Sequence, residues 1–317
     1  MAQGNMLLGM ARGSVGDVTF ARSARKQVSR ARNRKPKNPR TLAQCKKRVL
    51  MKTAALAYQL FQKDIADQSF EGAQNARENM QKFISLNIAK LRENETADNS
   101  LYAGKEMKEA VANRYILSNG TLNSGFWKPG YLDDGFALAK PNGDSVGVNE
   151  LNNTITYRQF CDLIGIPVGS QLTAVSVTFN TIQGDDGSLN YTVKVVKRFR
   201  LVLVPSDGDV DKPMFTGTGS LTINDPNPKN VGSWRKVSGE ANSGLGIAGM
   251  SILYGALFVS HFDKKWRYSD SVLSATGIPS GEDENGTIRT GNNFDEAVDS
   301  WLRAGMAESE EFTRQAE

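Results

Sequence analysis

The sequence predicts an α+β chain: an N-terminal basic β-hairpin and a helical hairpin, followed by an antiparallel β-sandwich or jelly-roll-like domain. Three observations carry this expectation. Residues 15–32 alternate with the two-residue period of strands, residues 42–91 repeat apolar side chains at helical spacing, and six strand-like runs separated by turn residues fill 173–273. The expected divisions are a basic hairpin or arm (1–40), a helical hairpin (41–95), an irregular connection (96–153), an antiparallel β domain (154–278) and an acidic tail with a short helix (279–317).

Each element has a local cause. Val15-Gly16-Asp17-Val18-Thr19-Phe20-Ala21-Arg22 and Lys26-Gln27-Val28-Ser29-Arg30-Ala31-Arg32 alternate on either side of Ser23-Ala24-Arg25. Two strands alone are barely stable in water, so this hairpin needs a further element to lean on. In Lys35-Pro36-Lys37-Asn38-Pro39-Arg40 two prolines remove donors and hold their neighbours extended, which makes a linker. Thr41 fits a helix N-cap, and Leu42, Cys45, Val49, Leu56 and Leu60 mark one face of a helix reaching about Ile65. A second helix from about Phe70 to Leu91, with Met80, Phe83, Ile84 and Leu86 on its apolar side, is expected to hairpin against the first.

Residues 93–153 are rich in Asn, Gly, Asp and Ser, and predict irregular chain with a short helical piece near Glu106 to Ala112 and isolated short strands. A short helix is expected over Tyr157 to Ile164. Strands are expected over Thr173 to Ile182, Leu189 to Val204, Phe215 to Ile223, Val231 to Val237, Ile252 to Phe262 and Trp266 to Leu273. Gly184-Asp185-Asp186-Gly187 and Asp263-Lys264-Lys265 supply turns. In the tail, Phe294, Ala297, Val298, Trp301 and Leu302 space as one side of a short helix expected to dock on the body or on a neighbouring subunit, the body being the first choice.

Composition narrows the function. With 39% hydrophobic and 23% charged residues among 317, the chain has the profile of a globular protein. No stretch reaches 18 apolar residues and the opening lacks a signal-like pattern, so neither a membrane span nor a secretory signal is expected. Cys45 and Cys161 fit neither a disulfide scaffold nor a zinc site. His261 is the single histidine, which removes any mechanism that needs two imidazoles. Gly244-Leu245-Gly246-Ile247-Ala248-Gly249 matches a dinucleotide fingerprint, but it lacks the preceding strand and following helix, and reads as a flexible loop. The acid pairs and triplet at Asp133-Asp134, Asp185-Asp186 and Glu282-Asp283-Glu284 lack calcium-loop spacing and read as turns. The expectation is therefore no enzyme, no catalytic residue, no metal, no cofactor and no small-molecule substrate.

Charge gives the positive signal. Residues 11–52 hold fourteen Lys or Arg and one acid, a net of +13, whereas residues 279–317 hold three Arg and ten acids, a net of −7. Guanidinium groups take phosphate oxygens bidentately. The candidate phosphate-binding set is Arg12, Arg22, Arg25, Lys26, Arg30, Arg32, Arg34, Lys35, Lys37 and Arg40, joined by Lys46, Lys47 and Arg48 in the first turns of the following helix. Cations near a helix N-terminus oppose the dipole by about a few tenths of a kcal/mol each, which an external anion relieves. The expected partner is the nucleic-acid backbone, read without sequence preference, and the acidic tail is expected to compete for the same surface.

Gly9-Met10-Ala11-Arg12-Gly13-Ser14-Val15-Gly16-Asp17-Val18, then Arg30-Ala31, then Asn38-Pro39-Arg40-Thr41-Leu42-Ala43-Gln44 resemble the opening of an uncharacterised family common in Bacteroidota and their mobile elements. In that family a Gly-x-Val-Gly-x-Val hairpin with basic residues leads into a Pro-Arg/Pro-Thr-x-Ala-Gln helix start, then helices and an Ig-like β domain. The similarity covers about the first 60 residues, and more weakly Leu163-Ile164-Gly165-Ile166-Pro167-Val168-Gly169-Ser170 and Gly255-Ala256-Leu257-Phe258-Val259. It implies architecture and brings no activity with it.

A basic segment ahead of a β domain predicts a virion or capsid-like structural protein of a phage or mobile element, self-assembling through its β domain and located in the virion or the cytoplasm. The alternatives are a non-virion nucleic-acid-binding accessory protein and a protein-binding structural module.

Overall fold

A computed structural model of the chain describes residues 13–15, 17–23, 26–32, 41–62, 69–93, 95, 102–105, 107, 108, 110, 111, 113–132, 135–183, 189–215, 234–239, 241–247, 255–273 and 293–314. The chain forms two compact units, 1–41 and 42–317. The helical hairpin, the irregular connection, the β domain and the tail thus all belong to the second.

The first unit is a three-stranded antiparallel meander of β1 (Gly13–Val15), β2 (Val18–Ser23) and β3 (Lys26–Ala31). The sequence predicts two strands here. The third arises because the chain reverses between Val15 and Val18, which pair, and Ser14 Oγ lies 3.0 Å from Thr19 Oγ1 across the new ladder. A third strand supplies what the hairpin alone lacks.

In the second unit α1 (Leu42–Phe61) buries Cys45, Val49, Leu50, Ala54, Ala57, Tyr58 and Phe61, one stripe at helical spacing. The second helix, α2, spans Ala76–Glu93 and starts later than the periodicity predicts. Asn75 Oδ1 accepts the Glu78 amide as an N-cap, and the Glu78 carboxylate accepts from the Gln74 amide, so the helix is sealed there. Phe70 instead forms a bridge with Asn119 and fills the core, its ring edge-on to Phe83 at 6.2 Å. Residues 107, 108, 110 and 111 are not helical, contrary to the helical piece expected around them.

Two antiparallel sheets complete the unit, consistent with the α+β expectation. One has the order β11-β10-β6-β7, with β12 also on β10; these are β6 (Gln171–Gln183), β7 (Leu189–Val202), β10 (Gly255–Asp263), β11 (Lys265–Tyr268) and β12 (Val272–Leu273). The other has the order β4-β5-β9-β8, with β4 (Trp127–Leu132), β5 (Gly135–Leu138), β8 (Trp234–Ser238) and β9 (Ser243–Ile247). The glycine run expected to be a loop contributes β9, which is buried and paired on both edges. The single strand expected over Trp266 to Leu273 breaks at Ser269, whose hydroxyl accepts the Val259 amide and whose neighbour Asp270 accepts the Gly120 amide and the Asn119 side-chain amide. Of the run expected over Phe215 to Ile223, only Phe215 is described.

Side chains alternate across the five-stranded sheet. Val175, Ala256 and Phe258 join the core of α1, α2 and α4 (Phe294–Arg314), while Leu172, Ala174, Leu257 and Val259 join the core shared with the four-stranded sheet and α3 (Tyr157–Ile164). The helical hairpin therefore covers a sheet face rather than enclosing a core of its own. The tail helix α4 lies on α1: Phe294 meets Tyr102 edge-on at 4.9 Å, and Lys52 Nζ sits 5.9 Å from the Trp301 ring centroid.

Candidate nucleic-acid interface

The described part of the basic segment is held by strand register. Arg22 pairs with Gln27 and Ser23 with Lys26, closing the β2–β3 hairpin. Arg30 pairs with Thr19 in mid-sheet, and the Arg32 amide donates to the Asp17 carbonyl where β3 ends. Arg30 and Arg32 are exposed. The two-residue period puts Arg30 on one face with Ser14, Thr19 and Val28, and Val15, Val18 and Phe20 on the other. Arg12, Arg25, Arg34, Lys35, Lys37 and Arg40 lie outside the described residues.

Lys46, Lys47 and Arg48 belong to the second unit. They are the fifth to seventh residues of α1, one turn further in than the dipole effect reaches, so an external anion is not required to account for them. Lys46 and Lys47 are exposed, and Arg48 is half-buried. Lys46 Nζ sits 5.8 Å from the Phe294 ring centroid, an internal neighbour that the sequence did not foretell.

Elsewhere, shifted ionisable groups trace the packing. Burial pushes the Cys161 thiol up to about 12, the environment of an inert cysteine. The hydrogen bond and charge of Arg158 hold the Asp211 carboxyl below the usual carboxylate range. Asp207, Asp209 and Asp211 alternate along one loop, but Asp207 and Asp209 accept amides two residues on, and Asp207 pairs with Lys212. Among the described residues no group of three or more His, Cys, Asp or Glu could hold a metal ion. Ser170 Oγ lies 3.4 Å from His261 Nδ1, long for a nucleophile and its base. Asp133, Asp134, Asp185, Asp186 and Glu282 to Glu284 lie outside the described residues.

A second surface was legible only in retrospect. Phe262 and Trp266 flank the Asp263-Lys264-Lys265 turn and face each other across the β10–β11 ladder, both exposed. The signal is their equal distance from the turn centre, which makes them a cross-strand pair. No described helix is long and apolar enough to cross a membrane. No protein-family model, curated protein or solved structure matches the chain.

Proposed function

We propose that this chain is a virion- or capsid-like structural protein that holds nucleic acid through its basic N-terminal unit and assembles with further copies through its β domain. The observation that carries the first half is the partition of the chain. A segment dense in arginine falls in a compact unit of its own, 1–41, whose described part is a small sheet with Arg30 and Arg32 exposed. A sheet of this size buries little, so its retention of so many cations is better accounted for by a polyanion than by folding. Phosphate contacts dominate such binding and carry no sequence information.

Assembly is supported by β6 and β7. They run to 13 and 14 residues, and β7 is an edge strand of its sheet among the described residues. A long edge strand offers a row of backbone groups to a strand of another copy. The core shared by the two sheets fits the sandwich expected of a shell-forming domain.

The same partition serves a non-virion accessory protein equally well, and self-association separates the two readings. Binding of the full chain to duplex and single-stranded oligonucleotides is measured across a salt series. If about six phosphates are neutralised, affinity falls by roughly a thousandfold between about 50 and 200 mM salt. A flat response contradicts the proposal.

A further inference from the structure

Phe262 and Trp266 are large aromatic side chains left exposed, at 59% and 42%. They form one feature. Their ring centroids are 5.3 Å apart at an interplanar angle of 59°, and Trp266 stacks at 19° and 6.2 Å on Tyr268, which is buried. The three rings share a face because 266 and 268 are two apart on β11 while 262 pairs with 266 across the ladder. The buried Tyr268 fixes the step, and the one-residue turn at Lys264, with φ of +57°, fixes the hairpin. β11 is an edge strand, so the outer side of this step meets no further strand among the described residues.

The charges around the step identify what it takes. Lys264 and Lys265 are exposed at the tip, beside Asp263. Arg267 lies behind them, with Nη2 donating to Thr121 Oγ1 at 3.3 Å. An apolar partner surface would match aliphatic side chains and leave the lysines unpaired. Two flat rings with the Lys264 ammonium at the adjoining tip match a ligand that offers a flat ring and an anion in alternation, whereas Lys265 lies on the opposite face across from Asp263. Unpaired nucleotides do so, whereas a duplex keeps its base faces stacked inside.

We propose that the β10–β11 hairpin is a contact for single-stranded nucleic acid, with Trp266 and Phe262 stacking on unpaired bases and Lys264 at the tip holding an adjoining phosphate. The assignment rests on the nucleic-acid reading above and deepens it: the N-terminal cations bind any phosphate backbone, and the hairpin adds a preference for unpaired strands.

The test uses the full-length chain, a labelled oligothymidylate of about 16 nucleotides and a duplex of equal length, at about 0.3 M salt to mute the N-terminal contribution. Trp266→Ala weakens single-strand binding about tenfold and leaves duplex binding unchanged, Trp266→Phe retains most of the affinity, and Phe262→Ala gives a smaller loss than Trp266→Ala. Lys264→Gln lowers the single-strand salt slope by about 0.7, and Lys265→Gln leaves it unchanged. Wild-type affinity in Trp266→Ala and Phe262→Ala, or equal losses on both nucleic acids, overturns the hairpin assignment while salt-dependent wild-type binding leaves the N-terminal reading standing. A change in sedimentation of Trp266→Ala without a change in oligonucleotide affinity places a second copy on this step and also overturns it. A wild-type chain that binds neither nucleic acid overturns both.

Discussion

Gly120 lies where the 117–122 segment crosses the end of β11. A Cβ there would come within 2.2 Å of the Tyr268 carbonyl oxygen, the same oxygen that accepts the Leu122 amide at 2.8 Å. The clash is with backbone, so nothing flexible gives way. Gly120→Ala is expected to destabilise the chain by about 2 kcal/mol, measured by urea unfolding. Glu71 ties the same crossing, accepting the Thr121 amide at 2.8 Å and the Thr121 hydroxyl at 2.9 Å. Burial alone would raise its carboxyl, but the Thr121 hydrogen bonds, the Tyr268 backbone and the Arg267 charge hold it below 4.5. A carboxyl lowered on folding stabilises above its unfolded value and loses that contribution as pH falls through the folded one. Wild-type stability therefore drops more steeply than that of Glu71→Gln below about pH 4.5, by a small increment because solvent screens the site. Little of this latch was legible in the sequence. Its partners are distant, the Gly120 amide and the Asp270 carboxylate being 150 positions apart, and the Asn- and Gly-rich stretch of residues 93–153 predicted an irregular connection with isolated short strands and no such partner.

Elements with local start and stop signals were legible. For α3, Thr156 and Gln159 form a reciprocal capping box and Gly165 closes the helix in the left-handed region, so the expected and observed spans coincide. By contrast, β4 contains Pro129 and Gly130 and gave no strand pattern; pairing with β5, which itself pairs with β9, overrides that weak propensity. In β9 the glycines conceal a strand because only Leu245 and Ile247 carry apolar side chains into the core. The tail helix was legible in its apolar face, whose Phe294, Ala297 and Val298 are buried, while its length exceeds expectation at 21 residues. Phe294→Ala is expected to cost about 3 kcal/mol, checked by thermal or urea unfolding. The β7 edge makes a second prediction at this scale: the chain sediments as dimers or larger at about tens of micromolar, where weak interfaces are populated. A strictly monomeric chain contradicts shell building.

Across the whole molecule the +13 of residues 11–52 and the −7 of residues 279–317 are each other's largest counter-charge within the sequence. Removing residues 281–317 does not isolate that effect, because it strips Phe294, Ala297 and Val298 from the core. Replacing Glu282, Asp283 and Glu284 by Gln, Asn and Gln leaves α4 intact. If the tail competes with nucleic acid, this variant binds more tightly at low salt and equally near about 0.5 M, where screening lengths are only a few ångströms. The charge partition was fully legible in the sequence; the sheet that organises part of it was legible as two strands of three. The central claim is that these N-terminal cations grip phosphate. Replacing Arg22, Arg25, Lys26, Arg30, Arg32, Arg34, Lys35, Lys37 and Arg40 together by Gln tests it directly, with affinity followed against salt and unfolding of the 42–317 body as the control. The account predicts a slope of log affinity against log salt near −5 for the wild-type chain on duplex and at least a halving of its magnitude in the variant, with the unfolding transition unmoved. An unchanged slope and affinity would contradict it.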